Sequence, residues 1–300
     1  MAAKITKIIT NTVVACTALI VIAVLAVYVL SSIRMNRRYA LVASQLTVAS
    51  GPAAIADGQR LFVTRGCIDC HGADLSGKTI VDDPAIGKFA GTNLTSGKGG
   101  VASSLSDSAF ALAIRQGIGP SGRALIFMPS TDYQDMSDDD VSKIIAYIRS
   151  RPPVDKPSIP QTVGPMARLL FLTGKMPNLL PAELINHQAK PPVHIAVAET
   201  VAYGHYLTNM CTGCHGKRLS GGPIPGGAPN WPPAKDITPA GLGHWNKVDF
   251  IKAMRTGVLP DGSILKAPMP WQNFSQLTNV ELTAMWMYLR TVSPVAFGNH

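Results

Sequence analysis

Charge is what this chain has least of. Only 15% of its residues are Asp, Glu, Lys or Arg, against 46% hydrophobic ones, a balance too apolar for a disordered chain. Acidic residues are missing altogether from positions 1–50, which hold five basic groups, more than half of the formal excess of +9. Those five flank a hydrophobic stretch, where cations anchor a helix at lipid headgroups, and no basic stripe interleaved with aromatics occurs elsewhere. Nucleic-acid binding is left without support, and no such partner is expected. Sustained alternation of apolar and polar residues is lacking too, which argues against strands and leaves an all-α fold.

What is present begins with an apolar run. Val13–Leu30 carries no charge, and Ile8 and Ile9 extend the run to about 20 residues, the length that crosses a hydrocarbon core. A cleaved secretory leader is the alternative, but its apolar stretch is normally about 7–15 residues and ends in a small-x-small site. Nothing after Leu30 offers a clean Ala-x-Ala, so a retained single-pass anchor is expected. Lys4 and Lys7 on one side and Arg34, Arg37 and Arg38 on the other leave its orientation undecided by charge.

The rest of the chain contains one pattern twice. Cys67-Ile-Asp-Cys70-His71 and Cys211-Thr-Gly-Cys214-His215 continue as CHGADLSG and CHGKRLSG. Downstream, residues 114–129 line up with 254–270, and 136–154 with 277–295. The expected organisation is a transmembrane anchor (1–33), a linker (34–50), one domain (51–154), an apolar inter-domain linker (155–196) and a second domain (197–300). Ser106 and Asn246 are expected to cap a helix in each copy, stopped by Gly117 and Gly257. Ser137-x-x-Asp140 and Thr278-x-x-Glu281 resemble capping boxes opening the last helices. Those helices carry apolar stripes through Val141, Ile144, Ile145 and Ile148, and through Leu282, Met285, Trp286 and Leu289. Short helices are expected before each cysteine motif, around 58–64 and 203–208.

C-x-x-C-H is the attachment signature of c-type haem. Two thiols three positions apart at a helix end reach the two vinyl groups on one porphyrin edge, and the adjacent His turns under the ring to ligate iron. A structural zinc site needs four ligands converging on one metal, whereas these pairs lie in separate repeats. A redox dithiol needs a βαβ context that is absent. Two covalently bound haem c groups are therefore expected, through Cys67, Cys70 and His71 and through Cys211, Cys214 and His215.

The sixth iron ligand is commonly a Met thioether in high-potential electron carriers. Of eleven Met, repeat symmetry singles out Met128-Pro129 and Met269-Pro270, each after a Gly- and Pro-containing loop and before a capped helix. Met136, Met254, Met285 and Met287 are read as packing residues. His187, His194, His205, His244 and His300 have no counterpart in the opposite repeat and are read as surface or local hydrogen-bonding residues. Cys16 is read as apolar packing within the span.

These motifs, with the closing-helix Tyr147-Ile-Arg149 and Tyr288-Leu-Arg290, make the chain resemble the membrane-associated class I cytochromes c. It is especially similar to the cytochrome subunits of periplasmic alcohol, aldehyde and gluconate dehydrogenases. The resemblance implies attachment of haem after export, hence domains on the periplasmic side of a bacterial inner membrane and a cytoplasmic N-terminus. It further implies an electron relay, not itself an enzyme, serving redox partner proteins or subunits of a respiratory, dehydrogenase or photosynthetic complex. The alternative is a dihaem peroxidase, which needs one releasable distal iron position and acid–base residues beside it. The run PMARLLFLTGKMPNLLPAELI is expected to pack between the domains; docking onto a membrane surface or partner subunit is the other reading.

Overall fold

A computed structural model of the 300-residue chain describes residues 2–41, 45–228 and 230–299. Helix α1 (Ala2–Met35) contains no Pro or Gly to interrupt it, and its apolar side chains from Ile8 to Ile33 are largely exposed. The first repeat follows with α2 (Pro52–Thr64), α3 (Cys67–His71), strands β1 (Thr79–Asp83) and β2 (Gly87–Ala90), α4 (Asp107–Gln116), a 3₁₀ turn (Ser130–Asp132) and α5 (Asp138–Ser150). The intervening segment gives β3 (Thr162–Val163), α6 (Pro165–Leu172) and two 3₁₀ turns (Pro177–Leu179, Pro181–Leu184). The second repeat runs α7 (Val201–Thr208), α8 (Thr212–His215), α9 (Lys247–Thr256), α10 (Trp271–Phe274) and α11 (Asn279–Leu289).

Both repeats are built on one contact between a first and a last helix. A Cβ added to Gly58 of α2 would lie 2.0 Å from the Lys143 carbonyl oxygen on α5, and one on Gly204 of α7 would lie 1.9 Å from that of Ala284 on α11. Only a residue without a side chain permits either crossing. Around these crossings sit two cores, one of Leu61, Phe62, Phe110, Ile144 and Ile145, the other of Leu207, Phe250, Leu282, Met285 and Leu289. The expected caps form: Ser106 accepts from the Ala109 N–H, and Asn246 and Asp249 form a complete box. Gly117 and Gly257 close their helices in left-handed conformation.

Three features differ from expectation. First, a small antiparallel sheet of order β1-β2-β3 accompanies the helices. Its strands are too short to show a period, and β1 is exposed on almost every residue; the Asp83 carboxylate, accepting from the Ala85 and Ile86 N–H groups at 2.8 Å, makes the turn. Second, the apolar segment 165–184 does not lie between the repeats. Ala167, Phe171, Met176, Leu179 and Leu180 form a third core with Phe89 and Phe127 of the first repeat and Met35 of α1. Arg168 donates to Ser31 Oγ (2.7 Å) and Ser32 Oγ (3.0 Å), Arg34 pairs with Glu183, and the Arg34 guanidinium lies 3.9 Å from the Phe171 ring centre. The last two turns of α1 are thereby built into the first repeat. Third, Met287 is exposed, because it falls on the outer face of α11, while Met136, Met254 and Met285 are buried as expected.

Candidate haem-binding sites

Arg65 ends α2, and Gly66, in left-handed conformation (φ 75°), turns the chain into the single helical turn that carries Cys67, Cys70 and His71. Cys67, Cys70, His71 and Met128 all line one cavity, walled by Ile80, Phe89, Leu125 and Phe127. Two thiols on one wall, an imidazole beside them and a thioether opening on the same space match what a covalently attached, His/Met-ligated haem needs. In the second repeat Cys211 and Met269 pack against one core cluster, with His215 buried between them in sequence.

The imidazoles are held alike. His71 Nδ1 lies 2.8 Å from the Thr92 carbonyl oxygen, and His215 Nδ1 lies 2.6 Å from that of Lys235. The ring N–H donates to the carbonyl, which leaves Nε2 as the free ligand nitrogen of a fixed ring. Burial pushes both histidines below their ordinary pKa, against the opposing pull of the carbonyls, so the neutral form that binds a metal prevails. The carbonyls are positioned in parallel ways, with Leu94 N–H donating to Leu75 O and Ile237 N–H to Leu219 O. Leu75 and Leu219 both adopt positive φ (60° and 59°).

The thiols are the reverse of reactive dithiols. Burial pushes Cys67 and Cys211 up to about 12 and raises Cys70 and Cys214 as well. Among the described residues no three His, Cys, Asp or Glu side chains converge as a metal cluster requires, so the pairs do not form one four-ligand site.

The methionine loops share a frame but are fixed differently. Leu125 N–H donates to Gly117 O and Leu265 N–H to Gly257 O, which closes both loops. Before Met128 stands Phe127, with φ 63°; its N–H donates to Leu179 O at 3.0 Å, and its ring stacks on Phe89 at 5.0 Å. At the matching position before Met269 stands Pro268, which has no N–H to satisfy.

The two sites meet at the interface between repeats. Asn273, four residues after Met269, donates from Nδ2 to the Asp69 carboxylate inside the first cysteine motif at 2.8 Å. Its counterpart Asp132, four residues after Met128, sits against Gly213 inside the second motif, where a Cβ would lie 2.8 Å from Asp132 Oδ2. Burial pushes Asp132 up to about 6. Each cysteine motif thus faces the other repeat's methionine turn. The buried Arg65 guanidinium lies between them, 3.8 Å from Met210 Sδ, 3.5 Å from Asp140, and close enough to favour the thiolate form at both Cys67 and Cys211. Arg60 pairs with the buried Glu281 at 2.7 Å, and Tyr206 donates to Asp140 at 2.7 Å.

Sequence reasoning missed Arg65, Asp132 and Tyr133, whose hydroxyl donates to Arg65 O at 2.8 Å beside the cavity. Each acts through tertiary contact, and only the shared spacing from the two methionines hinted at Asp132. The other histidines lie away from both sites: His187 contacts Gln116 at 2.6 Å, His194 pairs with Asp139, His205 packs on Tyr288, and His244 is exposed. His300 lies outside the described residues. Cys16 is exposed on α1 and not packed against protein.

The cytochrome c family profile matches residues 55–152 and again 202–293. Over 107 residues the chain is 33% identical to the cytochrome c subunit of alcohol dehydrogenase (quinone) of Gluconobacter oxydans, covering 32% of this chain and 22% of that protein. It is 29% identical over 147 residues to the fructose dehydrogenase cytochrome subunit of Gluconobacter japonicus, covering 45% and 29%. With a diheme cytochrome c-type protein of Cereibacter sphaeroides it shares 27% identity over 269 residues, 79% of this chain and 86% of the other. The chain therefore spans under a third of the two dehydrogenase subunits and most of the diheme protein.

Proposed function

The chain belongs to the cytochrome c family, and from that premise we propose that it is a membrane-anchored dihaem electron relay with no catalytic site of its own. The observation that carries this reading is the paired geometry: each C-x-x-C-H motif abuts the other repeat's methionine turn across one interface. Bound to these residues, haem c supplies one-electron ferric/ferrous chemistry.

In this reading Cys67 and Cys70 hold one group and Cys211 and Cys214 the other. His71 and Met128, and His215 and Met269, are the axial pairs. Thr92 O and Lys235 O fix the imidazoles, and electrons cross between residues 51–154 and 197–300 at the interface around Arg65. Retention of α1 as the anchor is supported by the pairing of its last turns with Arg168, Glu183 and Phe171. Haem attachment after export then puts both repeats on the periplasmic side of a bacterial inner membrane, with Lys4 and Lys7 inside. The partners are other redox proteins or subunits, a reading that the dehydrogenase cytochrome subunits among the relatives support.

The test is spectroscopic. Met128→Ala and Met269→Ala should each remove half of the near-infrared thioether-to-iron band and turn one ferric haem high-spin. If either variant leaves the band whole, that methionine is not a ligand. If the wild-type protein already holds a high-spin haem that reacts with peroxide, the peroxidase reading replaces the relay.

A further inference from the structure

The segment between the repeats presents an apolar face that nothing in the described chain covers. On α6, Ala167 and Phe171 point inward and are buried, while Met166 and Leu169 on the opposite side are 45% and 44% exposed. Leu184, on the turn beside the Arg34–Glu183 pair, is 49% exposed.

The position of this face follows from α1. Lys7 and Arg34 bracket a charge-free helical stretch, and at 1.5 Å per residue they stand about 40 Å apart, close to the 40–45 Å of a bilayer with its headgroups. With Arg34 at the headgroups, Tyr28 lies about 9 Å deeper, near the hydrocarbon boundary. α6 touches α1 between these two levels: Arg168 stacks over the Tyr28 ring at 4.7 Å and donates to Ser31 and Ser32, and Phe171 lies under Arg34. An interfacial helix buries its apolar face about 5–10 Å into this slab. The charges around it suit anionic headgroups. Arg34, Arg37, Arg38, Arg168 and Lys175 are near, Glu183 is paired with Arg34, Asp82 is paired with Lys88, and Asp83 is engaged in its own turn.

We propose that α6 and the Leu184 turn dock into the periplasmic face of the lipid bilayer, with Met166, Leu169 and Leu184 inserted among the acyl-chain ends. This rests on the reading of α1 as a retained anchor. The consequence is functional, because Phe171 on the inner face of α6 shares one core with Phe89 and Phe127, which line the first haem cavity. The first repeat, which shares this core with α6 and α1, then rides at a fixed height on the membrane.

The experiment uses full-length, haem-loaded protein, one copy per nanodisc, with nitroxides at Leu169→Cys, Val21→Cys or Ile264→Cys in a Cys16→Ser background. Collision with oxygen, which concentrates in lipid, is compared with collision with a water-soluble nickel chelate. The expected result is Val21 deep in lipid, Ile264 in water, and Leu169 meeting oxygen far more than nickel at a shallow depth. Leu169 as open to nickel as Ile264, with Val21 still in lipid, overturns the docking and leaves the anchor standing. Leu169 shielded from both quenchers means that protein covers the face, which also overturns it. Val21 open to nickel removes the anchor and the docking with it.

Discussion

Replacing Arg60 by Met isolates the strongest polar link between the repeats. Glu281 has a side chain only 2% exposed, and Arg60 contacts both of its carboxylate oxygens, at 2.8 and 2.7 Å. Burial alone would push Glu281 up; the hydrogen bonds and charge of Arg60, with the N–H and hydroxyl of Thr278, hold it below its ordinary value. Removing one partner of a buried pair costs about 3–5 kcal/mol, and because Arg60 is a quarter exposed a cost discounted to about 2–3 kcal/mol is expected. In the intact protein the pair's contribution is full above the unfolded pKa near 4.5 and is lost as pH falls through the lower folded value. In Arg60→Met the sign reverses. An unpaired buried carboxylate titrates above 4.5, so the variant regains stability as pH drops from 7 towards 5, and the gap to wild type closes. Arg60→Met/Glu281→Gln, which keeps the Thr278 box and removes the charge, should recover most of the loss at pH 7. Denaturant midpoints of the detergent-solubilised chain, followed by the thioether band, measure all three. A loss under about 0.5 kcal/mol at pH 7, or an equal loss at pH 5 and 7, refutes the reasoning.

The remaining expectations are shorter. Asp132→Asn should stabilise the protein at pH 8 by at most about 3 kcal/mol, the difference between a folded value of about 6 and an ordinary 3.8; the gain should shrink as pH falls through about 6 and vanish only below the unfolded value of 3.8, where Asp132 is neutral in both states. Thermal midpoints across pH check it. Arg65→Met removes a buried cation beside both cysteine motifs and should lower both reduction potentials by an order of tens of millivolts, read by redox titration; a shift at one site alone means that Arg65 serves only one. Gly204→Ala forces a Cβ onto the Ala284 carbonyl and should cost upward of about 3 kcal/mol, seen as failure of full-length holoprotein to accumulate, whereas Gly226→Ala meets no atom within 4 Å and should cost only the roughly 1–2 kcal/mol of its left-handed backbone (φ 72°), leaving holoprotein to accumulate.

The duplication, the cysteine motifs and the helix caps were legible because each depends on a few neighbouring residues. Ser106, Asn246, Thr278 and the closing glycines act within four positions of themselves. Ser137 shows where local reading ends. Its hydroxyl caps α5 by accepting from the Asp140 N–H, but Asp140 does not complete the box; its carboxylate accepts from Tyr206 of the other repeat, whose hydroxyl also receives the Ser137 N–H. The interface took the second half of a motif written locally. The groups that orient the imidazoles were illegible for another reason, since they are backbone carbonyls of Thr92 and Lys235, whose side-chain identity carries no signal. The sheet escaped because strands of five, four and two residues have no period to detect. The destination of segment 165–184 escaped because apolar composition says that it is covered and not by what.

One measurement bears on the whole account: mass and quantitative electron paramagnetic resonance of the ferric full-length protein. The account predicts two haem masses per chain that survive denaturation and two low-spin signals of equal intensity, both indifferent to peroxide. A single haem per chain, or a stable high-spin signal that peroxide consumes, contradicts it.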